Sequence, residues 1–222
     1  MIQSIKAVVL DSFKFKETSI ICNVYSLDYG MMSILISGLG KSKAISGQIY
    51  FQPLTIIEFT THYKERKGLL RASDIRLIFS PIGLIPDIRK MAISFFIAEI
   101  VLKTCKEKEQ DHELFQLLET TIKLFEKENF YDIHLFFLVQ YIHLLGFSLM
   151  DNEFIEEQAI RYGYDTKIKG ILDSLTSSET YFPLPVNKAE RLVIIKFILN
   201  FLEINVSLTK IKSLQVLEEI FI

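Results

Sequence analysis

The chain has 222 residues, half of them hydrophobic, with nine glycines and five prolines, enough to bury one large core or two modest ones and too few breakers for a collagen-like or extensively disordered chain. Net charge is only −2, yet residues 1–80 hold ten Lys/Arg against six Asp/Glu and residues 81–222 hold fifteen against twenty-one. A basic front (+4) on an acidic body (−6) suits a front that meets a polyanion.

The first eighty residues read as β. "IKAVVLDSFKF" predicts a strand, ended by the polar turn Lys16-Glu17-Thr18. "SIICNVYSL" is rich in β-branched residues and leads through the turn Asp28-Tyr29-Gly30 to "MMSILISGL". After an irregular stretch come "PLTIIEFTTHY", the charged turn "KERKG", and "LLRASDIRLIF", with a break expected near Ala72-Ser73. Five short antiparallel strands in so little chain fit a small closed barrel better than a sandwich, which needs about seven.

The period changes at Pro81. "SPIGLIPD" is a linker, and Pro86 or Asp87 can open a helix carrying Ile88, Met91, Ala92, Phe95, Ile100 and Leu102 at helical spacing. Asp111 can cap a second helix with Leu114, Phe115, Leu118, Ile122 and Phe125 on one side. Residues 130–146 predict a third, apolar nearly all round and therefore buried, with Gly146 as terminator. In 147–186, "DNEFIEEQAIRYGY" can hold a short helix and "DSLTSSETYFPLPV" reads as loop. Asn187 with Glu190 forms a capping pair for a helix through about Leu202, and a last helix covers roughly 210–221. The expected fold is α+β: an N-terminal five-stranded OB-fold barrel, 1–80, followed by an all-α helical domain, 81–222.

Cys22 and Cys105 sit in apolar runs and read as small buried hydrophobes of a reducing compartment. Two cysteines with four scattered histidines lack the spacing of a metal site, so no metal and no other cofactor is expected. The N-terminus carries no signal-like region. The most hydrophobic window, "FYDIHLFFLVQYIHLLGF", contains Asp132, His134, Gln140 and His143, costly in a bilayer, so a cytoplasmic protein with no membrane contact is expected.

"SGLGKSK", residues 37–43, ends like a nucleotide-cradling loop. That motif needs glycine five residues before its Gly-Lys pair, where this chain has Leu35, and a helix directly after it, where "AISGQIYFQP" follows. Lys41 and Lys43 instead suit a glycine-bearing loop pressed against successive phosphates of a nucleic acid. In a five-stranded barrel of this type nucleic acid lies over strands 2 and 3, bordered by the loops joining strands 1–2 and 4–5. Here the first of those carries Lys14 and Lys16 beside Phe13 and Phe15, and the second carries Lys64, Arg66 and Lys67, with Arg71 just beyond. Charges that track phosphates beside rings that stack bases are what single-strand binding uses, although Phe13, Phe15, Tyr50 and Phe51 are more often core residues. No HExxH, GxSxG or paired-carboxylate motif is present, and Glu99 in "FFIAEIVL" suits a structural hydrogen bond or ion pair, so no enzyme is expected.

In order along the chain, "KAVVLDSFKFKETSIICNVYSLDYGMMSILISGLGKSKA", "FQPLTIIEF", "AISFFIAEIVLKT", "ELFQLLETTIKLF", "FLVQYIHLLGF" and "IKSLQVLEEIF" resemble successive segments of the RecO family of bacterial recombination mediators. The resemblance implies an OB-fold and a helical domain that bind single- and double-stranded DNA and anneal complementary strands. It implies RecR as partner, contact with the C-terminal tail of single-strand-binding protein, and an indirect role in loading RecA in the nucleoid. Lys41 and Lys43 fall on the family's basic loop. Many members carry four zinc-binding cysteines after the Leu-Gly helix end. Here "SLMDNEFIEEQAIRYGYDTKIKGILDSL" has none, so zinc is not expected and residues 146–186 stand in place of that module.

Two readings of function follow. The first is a DNA-binding mediator acting through Lys14, Lys16, Lys41, Lys43, Lys64, Arg66, Lys67 and Arg71. The alternative is a protein-interaction adaptor whose barrel is scaffold and whose helical body takes an acidic tail beside a basic residue such as Arg161, Lys167, Arg191 or Lys196.

Overall fold

The computed structural model describes residues 2–38, 48–63, 68–82, 87–105, 110–149 and 166–221. Five strands come first: β1 (Ile2–Lys16), β2 (Ser19–Ser26), β3 (Gly30–Ser37), β4 (Ile56–His62) and β5 (Leu70–Phe79), with a 3₁₀ turn at Gln48–Phe51. They close into a barrel in the order β1-β2-β3-β5-β4, with β4 returning to β1. This is the OB-fold expected from the sequence. One seam departs from the all-antiparallel expectation: β5 runs parallel to β3, pairing Ile34 with Leu70 and Ile36 with Ala72. Closure requires it, because β5 leaves β4 antiparallel and must still reach the free edge of β3.

The predicted break near Ala72-Ser73 is a bulge in one continuous strand. Asp74 takes φ 49°, and the pairing with β4 slips between Glu58 and Thr60. Gly30, at φ 63°, supplies the left-handed residue that ends the β2–β3 turn.

The apolar run Ala7-Val8-Val9-Leu10 is explained by burial on both faces of β1. Ala7 and Val9 point into the barrel with Cys22, Val24, Ile34, Ile57 and Phe59. Val8 and Leu10 point the other way, joining Tyr25, Leu54 and Ile56 in the core of the helical part. The seam is fastened by polar contacts. The Tyr25 hydroxyl accepts from the Asp111 amide at 3.1 Å, and Lys6 pairs with Glu119 at 3.0 Å.

Six helices follow among the described residues: α1 (Ile88–Thr104), α2 (His112–Leu124), α3 (Ile133–Leu144), α4 (Thr166–Ser177), α5 (Lys188–Val206) and α6 (Ser213–Phe221). The caps are those the sequence announced. Asp87 accepts from the Arg89 amide, Asp111 from those of Glu113 and Leu114, and Asn187 with Glu190 forms a complete capping box. Gly146, at φ 81°, ends α3. α3 is the central helix: Ile133–Val139, Tyr141 and Ile142 are all buried. α4 corrects the expectation of loop at Asp173–Ser177. Its Ile168, Ile171, Leu172 and Leu175 form one buried stripe that the surrounding serines and threonines disguise.

Glu99 has the structural role expected. Its carboxylate accepts from the Lys212 amide at 3.0 Å, the Ser213 amide at 2.8 Å and the Ser213 hydroxyl at 2.6 Å, capping α6, and it pairs with Lys103 at 2.8 Å. Burial pushes its pKa up, but hydrogen bonds from Lys103, Ser213 and Lys212 outweigh that and hold it at about 2.

Candidate nucleic-acid interface

Register decides which side chains share the outer face of the barrel, since residues paired across strands point to the same side. One row reads Phe13–Ile21–Leu35–Arg71 across β1, β2, β3 and β5. The next outward row reads Lys16–Ser19–Ser37. The row between them, Ile20–Ile36–Ala72, continues the inward set, and its β1 member, Lys14, lies where the hairpin has run past the barrel and is exposed. Further along the same face, Asn23 accepts from the Ser33 hydroxyl at 2.8 Å, and then Tyr25 disappears beneath the helices. The open face therefore begins at Asn23 and Ser33 and ends at the β1–β2 hairpin.

Three predicted contact residues border this face, Lys16 and Arg71 in outward rows at its two sides and Lys14 on the overhanging hairpin. Lys14 and Lys16 lie on the hairpin and Arg71 on β5, all exposed, with the Arg71 carbonyl held by the Thr61 hydroxyl at 2.8 Å. Lys41, Lys43, Lys64, Arg66 and Lys67 lie outside the described residues. The described residues that flank them are Ser37, paired with Ser19, and Gly38 for the first pair, and Tyr63 and Gly68 for the other three. Leu35, which stands where a nucleotide loop needs glycine, is a mid-strand residue paired with Ile21 and Arg71.

Phe13 and Phe15 correct an expectation. They are 48% and 49% exposed, whereas Phe51 is buried and Tyr50 packs against the barrel core. The pairing of β1 with β2 slips between Val9 and Asp11, so Val9 faces the barrel interior opposite Val24 whereas Phe13 pairs with Ile21 on the outer face, and it slips again at Phe15.

The helical body offers fewer free cations than its sequence suggested. Arg191 is paired with Asp132 at 2.7 Å, the two side chains only 11% and 5% exposed, and Lys167 is paired with Glu190 at 2.6 Å. Arg161 lies outside the described residues; Lys196 is exposed beside a smaller cavity at Leu199 and Leu208. A feature the sequence did not reveal is an apolar groove of about 670 Å³ between α1 and α6, open at Ile88, Phe95 and Val216 and bordered by Lys103 and Lys212. The three exposed residues come from helices far apart in sequence, so no local pattern marks them. Nearby His134 is buried, and neither ring nitrogen has a hydrogen-bond partner among the described residues. Burial, then the charge of Arg191, hold its pKa down at about 3.

Among the described residues there is no group of three or more His, Cys, Asp or Glu placed to hold a metal, and no helix is long and apolar enough to cross a membrane. The Cys22 thiol is pushed up by burial, with Asp11 adding to it, as suits an inert core residue.

A closed five-stranded barrel whose face over β2 and β3 is left open, backed by a helical body, defines an OB-fold protein with an appended helical domain. Residues 1–81 match the family described as recombination protein O N terminal, and residues 85–150 match recombination protein O C terminal. The chain is 28% identical to the DNA repair protein RecO of Flavobacterium psychrophilum, over 97% of this chain and 98% of that one. It is 24% identical to the RecO of Azobacteroides pseudotrichonymphae over the whole of both. With the RecO of Pelodictyon phaeoclathratiforme it is 32% identical over 67% of this chain, a match spanning 57% of that protein's length. The chain belongs to the RecO family.

Proposed function

We propose that this protein is a non-catalytic mediator of DNA repair and recombination. Its barrel, residues 1–80, binds single- and double-stranded DNA by the phosphates, through Lys14, Lys16 and Arg71 together with Lys41, Lys43, Lys64, Arg66 and Lys67. The observation that supports this reading is the open β2–β3 face, bordered by exposed cations on the hairpin and on β5, in a barrel that belongs to this family. A face that neutralises phosphates without contacting base edges in a fixed pattern binds irrespective of sequence, and it lowers repulsion between two strands held together. Annealing of complementary strands follows from that chemistry. Fluorescence anisotropy with labelled single- and double-stranded oligonucleotides over a salt series tests the reading. Affinity should fall steeply, with a log–log slope of about −0.7 per phosphate contacted on single strands. A flat response removes it.

The helical body, residues 81–222 with 146–186 in place of the family's zinc module, supplies the protein partners in this reading: RecR, the tail of single-strand-binding protein and, through them, RecA. The cell compartment is the cytoplasm, at the nucleoid. The adaptor role falls to the groove between α1 and α6 rather than to Arg191 or Lys167, whose charges are already paired. In a pull-down with single-strand-binding protein, Phe95→Asp should abolish capture while leaving the DNA titration unchanged. Capture by the variant at wild-type level rules the groove out.

A further inference from the structure

The two exposed rings of the β1–β2 hairpin are not accounted for by phosphate binding. Phe13 and Phe15 lie two residues apart near the end of β1, both about half exposed. Phe13 shares its outward row with Arg71. Phe15 is the extra residue where pairing slips between Lys14 and Lys16, and the Lys16 ammonium lies 5.6 Å from its ring centre. Burying neither ring costs the fold apolar contact that a strand would ordinarily secure. The pairing on either side of Phe15, Lys14 with Ile20 and Lys16 with Ser19, is kept, so the rings are displayed from a bulged but paired hairpin rather than from a frayed end.

We propose that Phe13 and Phe15 are base-stacking residues, and that they give the barrel a preference for unpaired strands. The occupant is a single-stranded nucleic acid. A duplex presents its base faces only to each other, whereas every base of a single strand offers a π-face to a ring. The charge pattern favours this occupant over an apolar protein surface: Lys14 and Lys16 alternate with the rings along the hairpin, and Arg71 stands at the far end of the row that Phe13 begins. The hairpin-tip carboxylate of Glu17 is the only acidic side chain in the run from Phe13 to Thr18. The inference rests on the phosphate-binding reading above and deepens it.

The test compares oligothymidylate with an abasic deoxyribose-phosphate strand of equal length, each over a salt series. Wild-type protein should bind the oligothymidylate more tightly, by about tenfold for each ring engaged. Phe13→Ala with Phe15→Ala should close that gap while leaving the salt slope intact. Equal wild-type affinity for the two strands, or a double variant that keeps the preference, overturns the inference and leaves phosphate binding standing. Absence of any salt-dependent binding overturns both. The chain contains no tryptophan, so Phe15→Trp introduces a single fluorophore. Its emission should be quenched by oligothymidylate and not by the abasic strand; equal emission in the two overturns the proposal, as does loss of a protein partner by the alanine variant with strand preference retained.

Discussion

Reversing the charge at Lys14, Lys16 and Arg71 together is expected to weaken single-strand binding about a hundredfold at about 0.1 M salt. Each phosphate contact on a single strand adds about 0.7 to the log–log salt slope, so at 0.1 M three contacts carry about two decades of affinity relative to 1 M, and the slope itself should fall by about 2. All three side chains are exposed, so the melting temperature should hold. Lys169→Glu, on the exposed side of α4, is the control for charge reversal at a single surface site and should change little. Anisotropy titrations at several salt concentrations measure affinity and slope together. A triple variant that binds like the control removes the hairpin end of the face from the DNA path.

The second large effect is on stability. Asp132 and Arg191 form the most deeply buried ion pair among the described residues, and the free Asp132 oxygen accepts from the Leu184 amide at 3.2 Å. Through it α5, the segment before it and the start of α3 are tied at one point. Arg191→Met keeps most of the side-chain volume but strands a carboxylate in the interior, and should cost about 3–5 kcal/mol in urea unfolding with an unchanged m-value. Adding Asp132→Leu should restore much of the loss, because a buried pair replaced by apolar residues of similar size is often neutral. A single variant that loses less than about 1 kcal/mol would make this an ordinary surface pair.

Much of the fold was legible because its signals are local. Capping residues at Asp87, Asp111 and Asn187, the glycine after α3, and the change from strand to helical period at Pro81 each act within a few residues. What was not legible depended on distant pairing. The parallel seam between β3 and β5 is set by barrel closure, and the bulge at Asp74 by the register of β4. α4 went partly unread because its buried stripe is thin and its polar face resembles loop. The site divides the same way. Its basic residues were visible as composition in three loops, but their relation to one another came from strand register, which places Phe13 and Arg71 in one row although 57 positions separate them. The exposure of Phe13 and Phe15 depends on the two slips in the pairing of β1 with β2, and no property of the residues themselves records those.

β1 serves three neighbourhoods in succession. Its middle is shared between the barrel interior and the helical core, and its end becomes the hairpin of the open face. A single strand thus runs from the helical body to the proposed strand contact, its pairing slipping at Leu10 and Phe15 without a break in the strand. Torque applied at the hairpin, as when one strand is drawn past another, would be borne by Val8 and Leu10 against the helices rather than dissipated in a swivel. The face and the body would turn as one piece, so a partner gripping α1 and α6 would also set the heading of the captured strand.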